Sequence, residues 1–419
     1  MSFSFKHKNV FLKKGKAKPF WYQHPWVFSG AVKNVKGKPE NGDIVEVFDH
    51  ERRFIAKGFF NDKSQIMVRL LTWDLHERLD YKFFERQITK AIHLRDNVLA
   101  LSSKTNAYRL IHSEADGLPG LTVDRYENIL CVQLTSFGID RRREMIFEIL
   151  QRVTKVPTII ERYSAGVRRL EGLPELDYSV TGETPPEKIT IHEYGINFQL
   201  SLSRGQKTGF YIDQRENRML ASKFSYNKRV LDACCYSGAF GIYMSKKGKA
   251  KEVVFLDTSK FALELAQTNV ELNNCKNSTF LHRDVFRDLE KMHKDGEQFD
   301  VIVLDPPKVI TSKNSLQTGL MALKSINSTA MKMLTDHGIL ITCDCSGMIS
   351  MPKFMQTINA SAMEAECEVK IIDSRSAGND HPQNPACPEN TYLKTLFVSV
   401  TKKPAKDVVK KSLPGNTNR

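Results

Sequence analysis

Apolar and polar positions change rhythm twice along this 419-residue chain. Up to about residue 75 they alternate with period 2 in short runs broken by turn residues, at 10–12, 26–28, 42–49, 54–60 and 65–71. That pattern predicts a small β-barrel. From 81 to 100 the period becomes helical, with Phe84, Ile88, Ala91, Ile92, Val98 and Leu99 on one face and Lys82, Arg86 and Lys90 more exposed. Residues 108–167 then alternate strand, helix, strand and read as a compact α+β module, with a helix over 141–153 and a strand from 158. Pro185 and Pro186 mark a linker.

Beyond the linker a hairpin-like pair, 189–192 and 196–200, precedes strands at 230–233, 253–257, 279–282, 301–305 and 339–343 that alternate with helices. Such alternation means a parallel, doubly wound sheet, so the fold class is α/β. The last two strand runs, 369–373 and 393–400, are too close for a crossover helix and predict an antiparallel end to the sheet. The expected organisation is a β-barrel over 1–75, an α+β module over 76–187, a doubly wound domain over 188–403 and a disordered basic tail over 404–419.

Lys and Arg outnumber Asp and Glu by 62 to 48, a net charge of +14. A polyanionic partner, most simply nucleic acid, is the expected consequence. The barrel region interleaves Lys13, Lys14, Lys16 and Lys18 with Phe20, Trp21 and Trp26, which suits phosphate contact plus base stacking. For any one of these residues a core aromatic or a solvated lysine is the simpler reading. No apolar run is long enough to span a bilayer and no secretory signal opens the chain, so a cytoplasmic protein is expected. Eight cysteines show neither Cys-x-x-Cys pairs nor zinc-finger spacing, and no metal site is expected.

The chemistry gathers where the predicted parallel strands end. After the strand at 230 the turn offers only Gly238 and Gly241, without the three-glycine pattern that lets backbone amides meet a pyrophosphate. Asp232 at that strand's end repels a phosphate but suits a ligand bearing an ammonium or sulfonium group. Asp257, about twenty residues on, is placed to accept ribose hydroxyls. Asp284 could accept from an adenine amino group, and Asp305 opens an Asp-Pro-Pro-Lys run beside them. Ser259 or Thr258 should cap the helix after 257, with Phe261, Leu265 and Leu272 as its buried stripe. Four acids at successive strand ends point to S-adenosylmethionine, and hence to a methyltransferase.

Cys345, beyond the fifth strand, sits where a nucleophile would meet substrate. Position 5 of a pyrimidine becomes nucleophilic once a thiolate adds at position 6. Asp305 would hydrogen-bond or protonate the ring nitrogen. A buried structural cysteine is the bland alternative. Cys343 is expected to face opposite to Cys345, into the packing.

The residues Gln23-His-Pro-Trp-Val-Phe-Ser-Gly, Asp116-Gly-Leu-Pro-Gly, Gln206 to Arg215, Tyr236-Ser-Gly-Ala-Phe, Asp305-Pro-Pro-Lys and Cys345-Ser-Gly carry a resemblance to a known family. Over nearly its whole length the chain resembles the RNA 5-methylcytosine methyltransferases of the ribosomal RNA large subunit methyltransferase I type. The resemblance implies a PUA-like RNA-binding barrel and a class I methyltransferase sheet. It also implies S-adenosylmethionine as cofactor, large-subunit rRNA as partner and Cys345 as nucleophile. Gln206 to Arg215 would help enclose the cofactor, with Gln214, Arg215, Tyr236, Ser237, Gly238 and Phe240 among its contacts; Lys13, Lys14, Lys16 and Trp26 would meet RNA. The chain departs from the pattern at Cys343 and Asp344, where small or aromatic residues are expected. Two rival readings stand beside this one: N-methylation of a guanine or adenine, and an RNA-binding assembly factor with an idle methyltransferase domain. Whether the chain acts as a monomer or a homodimer stays open.

Overall fold

The computed structural model describes residues 8–163, 165–174, 178–202, 209–310 and 312–403. The expected basic tail, and Gln206 to Thr208 of the cofactor-enclosing motif, lie outside the described residues.

Six short strands, Asn9–Leu12, Trp26–Phe28, Val32–Lys36, Ile44–Phe48, Phe54–Phe60 and Ile66–Thr72, form the first sheet, in spatial order 2-6-5-4-1-3. The second and third strands sit at opposite ends of that order yet are joined by the single turn Ser29–Ala31, so the sheet curls on itself. Alternation does the work: Val10, Leu12, Val27, Val45, Val47 and Val68 point inward and are fully buried.

A second, five-stranded sheet follows from Ala107 to Thr181, with the helices Tyr81–His93 and Arg143–Thr154 burying Phe83, Phe84, Ile88, Ile146 and Leu150 against it. The expected helix over 81–100 is two pieces. Its α-helix ends at His93, and Leu94–Val98 forms a π turn. The wider turn shifts the buried face. Val98, expected on the apolar face, is thereby 64% exposed, while Arg95, already in phase with Ile88 and Ala91, is buried and pairs with Asp116 at 2.7 Å.

The hairpin Ile189–Glu193 and Ile196–Leu200 leads into the third sheet. Its strands are β1 (Arg229–Ala233), β2 (Glu252–Asp257), β3 (Ser278–His282), β4 (Phe299–Leu304), β5 (Leu334–Asp344), β6 (Cys367–Arg375) and β7 (Lys394–Lys402). Between them run α1 (Ala239–Lys246), α2 (Lys260–Leu272), α3 (Val285–Lys294), α4 (Leu316–Met333) and α5 (Met351–Glu364). The order is β3-β2-β1-β4-β5-β7-β6, with β7 antiparallel to both neighbours. Strand order reverses between β1 and β4, which is where such sheets bind ligands beyond their carboxyl ends. Both faces are covered by helices and apolar cores.

On α2, Ser259 caps through Ala262 N–H, but the stripe differs from expectation. Leu272 is 40% exposed, and Asn269 is buried in its place because its amide bonds Gln199 N–H and Ser237 C=O, fastening the hairpin to the β1 turn. No helix among the described residues is long and apolar enough to cross a membrane.

Candidate active site

The turn after β1 is forced by packing. Cys234, Tyr236 and Gly238 all take positive φ, at 61°, 48° and 74°. The turn's N–H groups are largely spent inside the protein: Cys235 donates to Leu256 C=O, Tyr236 to Asp257 and Gly238 to Cys235 C=O. A β-carbon on Gly241 would lie 2.3 Å from the Phe255 ring, so the glycine lets α1 press onto β2.

Asp232 is 1% exposed, and its Oδ2 accepts the Gly241 N–H at 2.8 Å. Burial, together with the charges of Asp305 and Asp257, raises its carboxyl from 3.8 to about 7. Asp257 accepts from Tyr236 N–H and Ser259 N–H, both at 2.9 Å, which ties the β1 turn to the end of β2. Asp284 caps α3 through Phe286 N–H at 2.8 Å. Carboxylate oxygens carry two lone pairs each, so these backbone bonds leave Asp257 and Asp284 able to accept from a ligand. Tyr236 lies edge-on to Tyr211 with centroids 5.4 Å apart, and its hydroxyl donates to Gly209 C=O at 3.1 Å.

Gln214 joins the strand ends. Its Nε2 donates to Asp305 Oδ2 at 3.1 Å and to Cys343 Sγ at 3.3 Å, while its Oε1 accepts from Asn217 at 2.7 Å. Both amide hydrogens are thereby used, and the side chain is held. Cys343 is buried, as expected, but it is not turned away from the site. Residues two apart on a strand share a face, and the thiol lies within the field of both Asp305 and Cys345, with burial pushing its pKa well up. It packs as a neutral group. Cys345 follows β5, partly exposed, between the buried Asp344 and Ser346. The Tyr211 hydroxyl feels both Asp305 and Cys345, so the three share one neighbourhood.

Other expected residues sit elsewhere. Arg215 is fully buried, 2.9 Å from Asp380 and bonded to Ala107 C=O, so it fastens modules together instead of facing a cofactor. Phe240, on α1, is buried in the core, and Ser237 is buried with its carbonyl held by Asn269. Trp26 donates Nε1–H to Glu114 at 2.8 Å and packs on Arg69, which makes it a joint to the middle module. Lys13, Lys14 and Lys16 are exposed, and so are Trp21, Tyr22 and Phe28; the last two escaped the sequence reading because nothing in period 2 separates an outward aromatic from a core one. Asn217 and Lys394 were also missed, since their partners are distant in sequence. His24, Cys387 and Glu389 come close enough to suggest a metal. However, His24 Nδ1 accepts from Trp26 N–H, so Nε2 carries the proton and faces Glu389 as a donor.

A sheet of this order, parallel but for its antiparallel β7, with acids at the ends of β1, β2 and β4 around a tight turn, defines a class I S-adenosylmethionine-dependent methyltransferase. Residues 114–396 match the family model of the S-adenosylmethionine-dependent methyltransferases, and residues 10–73 match a PUA-like domain. The chain is 41% identical to ribosomal RNA large subunit methyltransferase I of Aeromonas salmonicida (strain A449), over 93% of its own length and 98% of the relative's. It is 40% identical to the protein of that name from Photobacterium profundum, over 92% and 98%. It belongs to the ribosomal RNA large subunit methyltransferase I family. In fold it is similar to a SAM-dependent methyltransferase structure from Streptococcus mutans, with TM-score 0.80, 18% identity and coverage of 93% of this chain and 99% of that one. A methyltransferase structure complexed with SAH gives TM-score 0.81 at 19% identity with the same coverage.

Proposed function

We propose that this protein methylates C5 of a cytosine in large-subunit ribosomal RNA, with Cys345 as the nucleophile and the cytoplasm as the place of action. The observation that carries the reading is the placement of a partly exposed thiol just past β5, in the neighbourhood of Asp305 and Tyr211 at the carboxyl edge of the sheet.

The donor set fits S-adenosylmethionine. Asp257 offers oxygens for ribose hydroxyls, and Asp232, Asp257 and Asp305 together make a cation-favouring field. Bound there, the cofactor supplies an electrophilic methyl group. The chain's residues do the rest. The Cys345 thiolate adds to C6, forming the S–C6 bond and moving the C5=C6 electron pair toward C5 and the ring nitrogen. Asp305, its Oδ2 held by Gln214, enters this step as the acid and gives its proton to the ring nitrogen, taking it back when the adduct collapses. Once C5 carries the methyl group, loss of the C5 proton to a base re-forms C5=C6 and expels the thiolate.

The exposed lysines 13, 14, 16 and 18, beside Trp21, Tyr22 and Phe28, support RNA as the substrate: cations for phosphates and open aromatic faces for unpaired bases. The test is methyl transfer to rRNA by Cys345→Ala, with the product nucleoside identified by mass spectrometry. Loss of 5-methylcytidine with S-adenosylmethionine binding retained is the expected result. An active variant, or a methylated guanine or adenine as product, overturns the reading.

A further inference from the structure

We propose that Lys394 is a positioning residue for the reaction: its buried ammonium clamps the residues on either side of Cys345 and supplies the positive charge beside which the thiolate forms. This rests on Cys345 being the nucleophile.

Lys394 opens β7 directly opposite Asp344 in the β5–β7 ladder. It is 3% exposed, which is rare for a lysine. Its Nζ lies 3.0 Å from Asp344 Oδ2, donates to Ser346 C=O, and donates to Tyr392 C=O at 2.8 Å. Asp344 closes the ring by accepting Ser346 N–H on Oδ1 at 3.2 Å. The residues before and after Cys345 are therefore tied to one ammonium and to each other, while Cys345 alone of the three reaches solvent. Ser346 is anchored again through its hydroxyl to Ile310 C=O at 3.3 Å, so the turn has little freedom.

A buried ion pair is a costly way to hold a turn, because both ions lose their hydration. An apolar pair would hold β5 to β7 as well. What the charged pair adds is electrostatic control at the one residue between its ends. Asp344 stands where the family resemblance leads one to expect a small or aromatic residue, and an added carboxylate next to a thiol opposes thiolate formation. Lys394 offsets it. The other titratable or charged groups facing this turn include Asp305 and Lys308 from beyond β4, Tyr211 from the segment before β1, and Cys343 on β5 itself. Lys394 is bonded to the turn on both sides of Cys345.

The test follows alkylation of Cys345 by iodoacetamide in the full chain as a function of pH, read at the Cys345 peptide by mass spectrometry. Lys394→Met is expected to slow alkylation at pH 7.5 about tenfold or more and move its midpoint up, as removal of a neighbouring opposite charge does. Asp344→Asn is expected to move it down. The double variant, Asp344→Asn with Lys394→Met, restores the charge balance and keeps the test readable if the single lysine variant fails to fold. It should alkylate near the wild-type midpoint yet methylate slowly, because the clamp is gone. A purely structural lysine would lower the melting temperature without moving the two midpoints in opposite directions. Unchanged midpoints in Asp344→Asn and the double variant together overturn the inference, while loss of activity in Cys345→Ala keeps the functional reading standing. Full activity in Cys345→Ala overturns both.

Discussion

Asp232 gives a prediction whose sign and size both follow from its burial. Its carboxyl is shut away from water behind the β1 turn and faces the charges of Asp305 and Asp257, so it titrates at about 7 where an exposed aspartate has 3.8. Below pH 4 the proton is bound in native and unfolded chains alike, and the residue has no effect on pH dependence. Between 4 and 7 the unfolded chain has lost that proton and the native one keeps it. Stability must then fall as pH rises, and above 7 the penalty is complete. At 1.36 kcal/mol per unit, the shift from 3.8 to about 7 corresponds to roughly 4 kcal/mol in full. About 3 kcal/mol of it develops between pH 4.5 and 8.5.

Asp232→Asn keeps an oxygen for Gly241 N–H and removes the titration. Urea unfolding followed by far-UV ellipticity, at pH 4.5 and 8.5, should show the variant gaining about 3 kcal/mol on the wild type across that interval. Tryptophan fluorescence serves as an internal control. All three tryptophans, Trp21, Trp26 and Trp73, lie in the front of the chain, so the transition they report should keep its pH dependence. A cation bound among these carboxylates favours the ionised form, so S-adenosylmethionine binding to the wild type should also release part of a proton near pH 7, and binding to the variant should release less. Parallel stability curves for wild type and variant would refute the reasoning.

Three further outcomes are expected. Gly241→Ala should destabilise the catalytic domain by about 1–3 kcal/mol in chemical denaturation, because its methyl would lie 2.3 Å from Phe255 and 2.8 Å from Val253. Arg215→Met should cost about 3–5 kcal/mol by stranding the buried Asp380 carboxylate, with much of that recovered in combination with Asp380→Asn. Calorimetry should find S-adenosylmethionine affinity unchanged in the folded variant, since Arg215 faces the middle module. Replacing Lys13, Lys14 and Lys16 by alanine should weaken RNA binding and lower the salt slope of log K by about 2, at ~0.7 per phosphate contact with single strands.

The residues that could be read from sequence are those whose signal is local. Strand ends followed by acids, at Asp232, Asp257 and Asp305, announce themselves through a strand-turn-helix rhythm, and Cys345 is placed by the strand before it. What could not be read depends on the partner. Arg215 looks like a ligand-binding cation until Asp380 is seen against it. Trp26 looks like a stacking platform until Glu114 takes its indole N–H. Val98 leaves the apolar face because one π turn rephases a helix that periodicity treats as uniform, while Arg95, in phase with Phe84, Ile88 and Ala91, was passed over because it is charged. The alternation rule itself puts Cys343 on the Cys345 side of β5, and the opposite expectation misapplied it.

The segment between β6 and β7 shows why so many of these partners are distant. Gly378 N–H bonds Asp213 C=O at 2.8 Å, and Asp380 meets Arg215, His381 and Arg109 N–H. The buried guanidinium of Arg95 donates to Asp380 C=O, Asn384 to Glu114 C=O, and His24 faces Glu389. One connection thus touches the front sheet, the middle module and the residues beside Gln214, then enters β7 at Lys394. The front sheet's lysines are thereby held at a set orientation to Cys345 through polar contacts, which are directional where apolar ones are not. Glu114 is the joint where that orientation is most exposed to test, because it accepts from both Trp26 and Arg69. Glu114→Gln removes the charge that draws both donors while keeping an acceptor oxygen. Losing a charge-assisted bond of this kind costs about 1–3 kcal/mol, which loosens the joint without unfolding the module. Methyl-transfer kinetics should then show KM for rRNA raised severalfold, with S-adenosylmethionine affinity unchanged. An unchanged KM would mean that the front sheet finds its RNA independently of the catalytic edge.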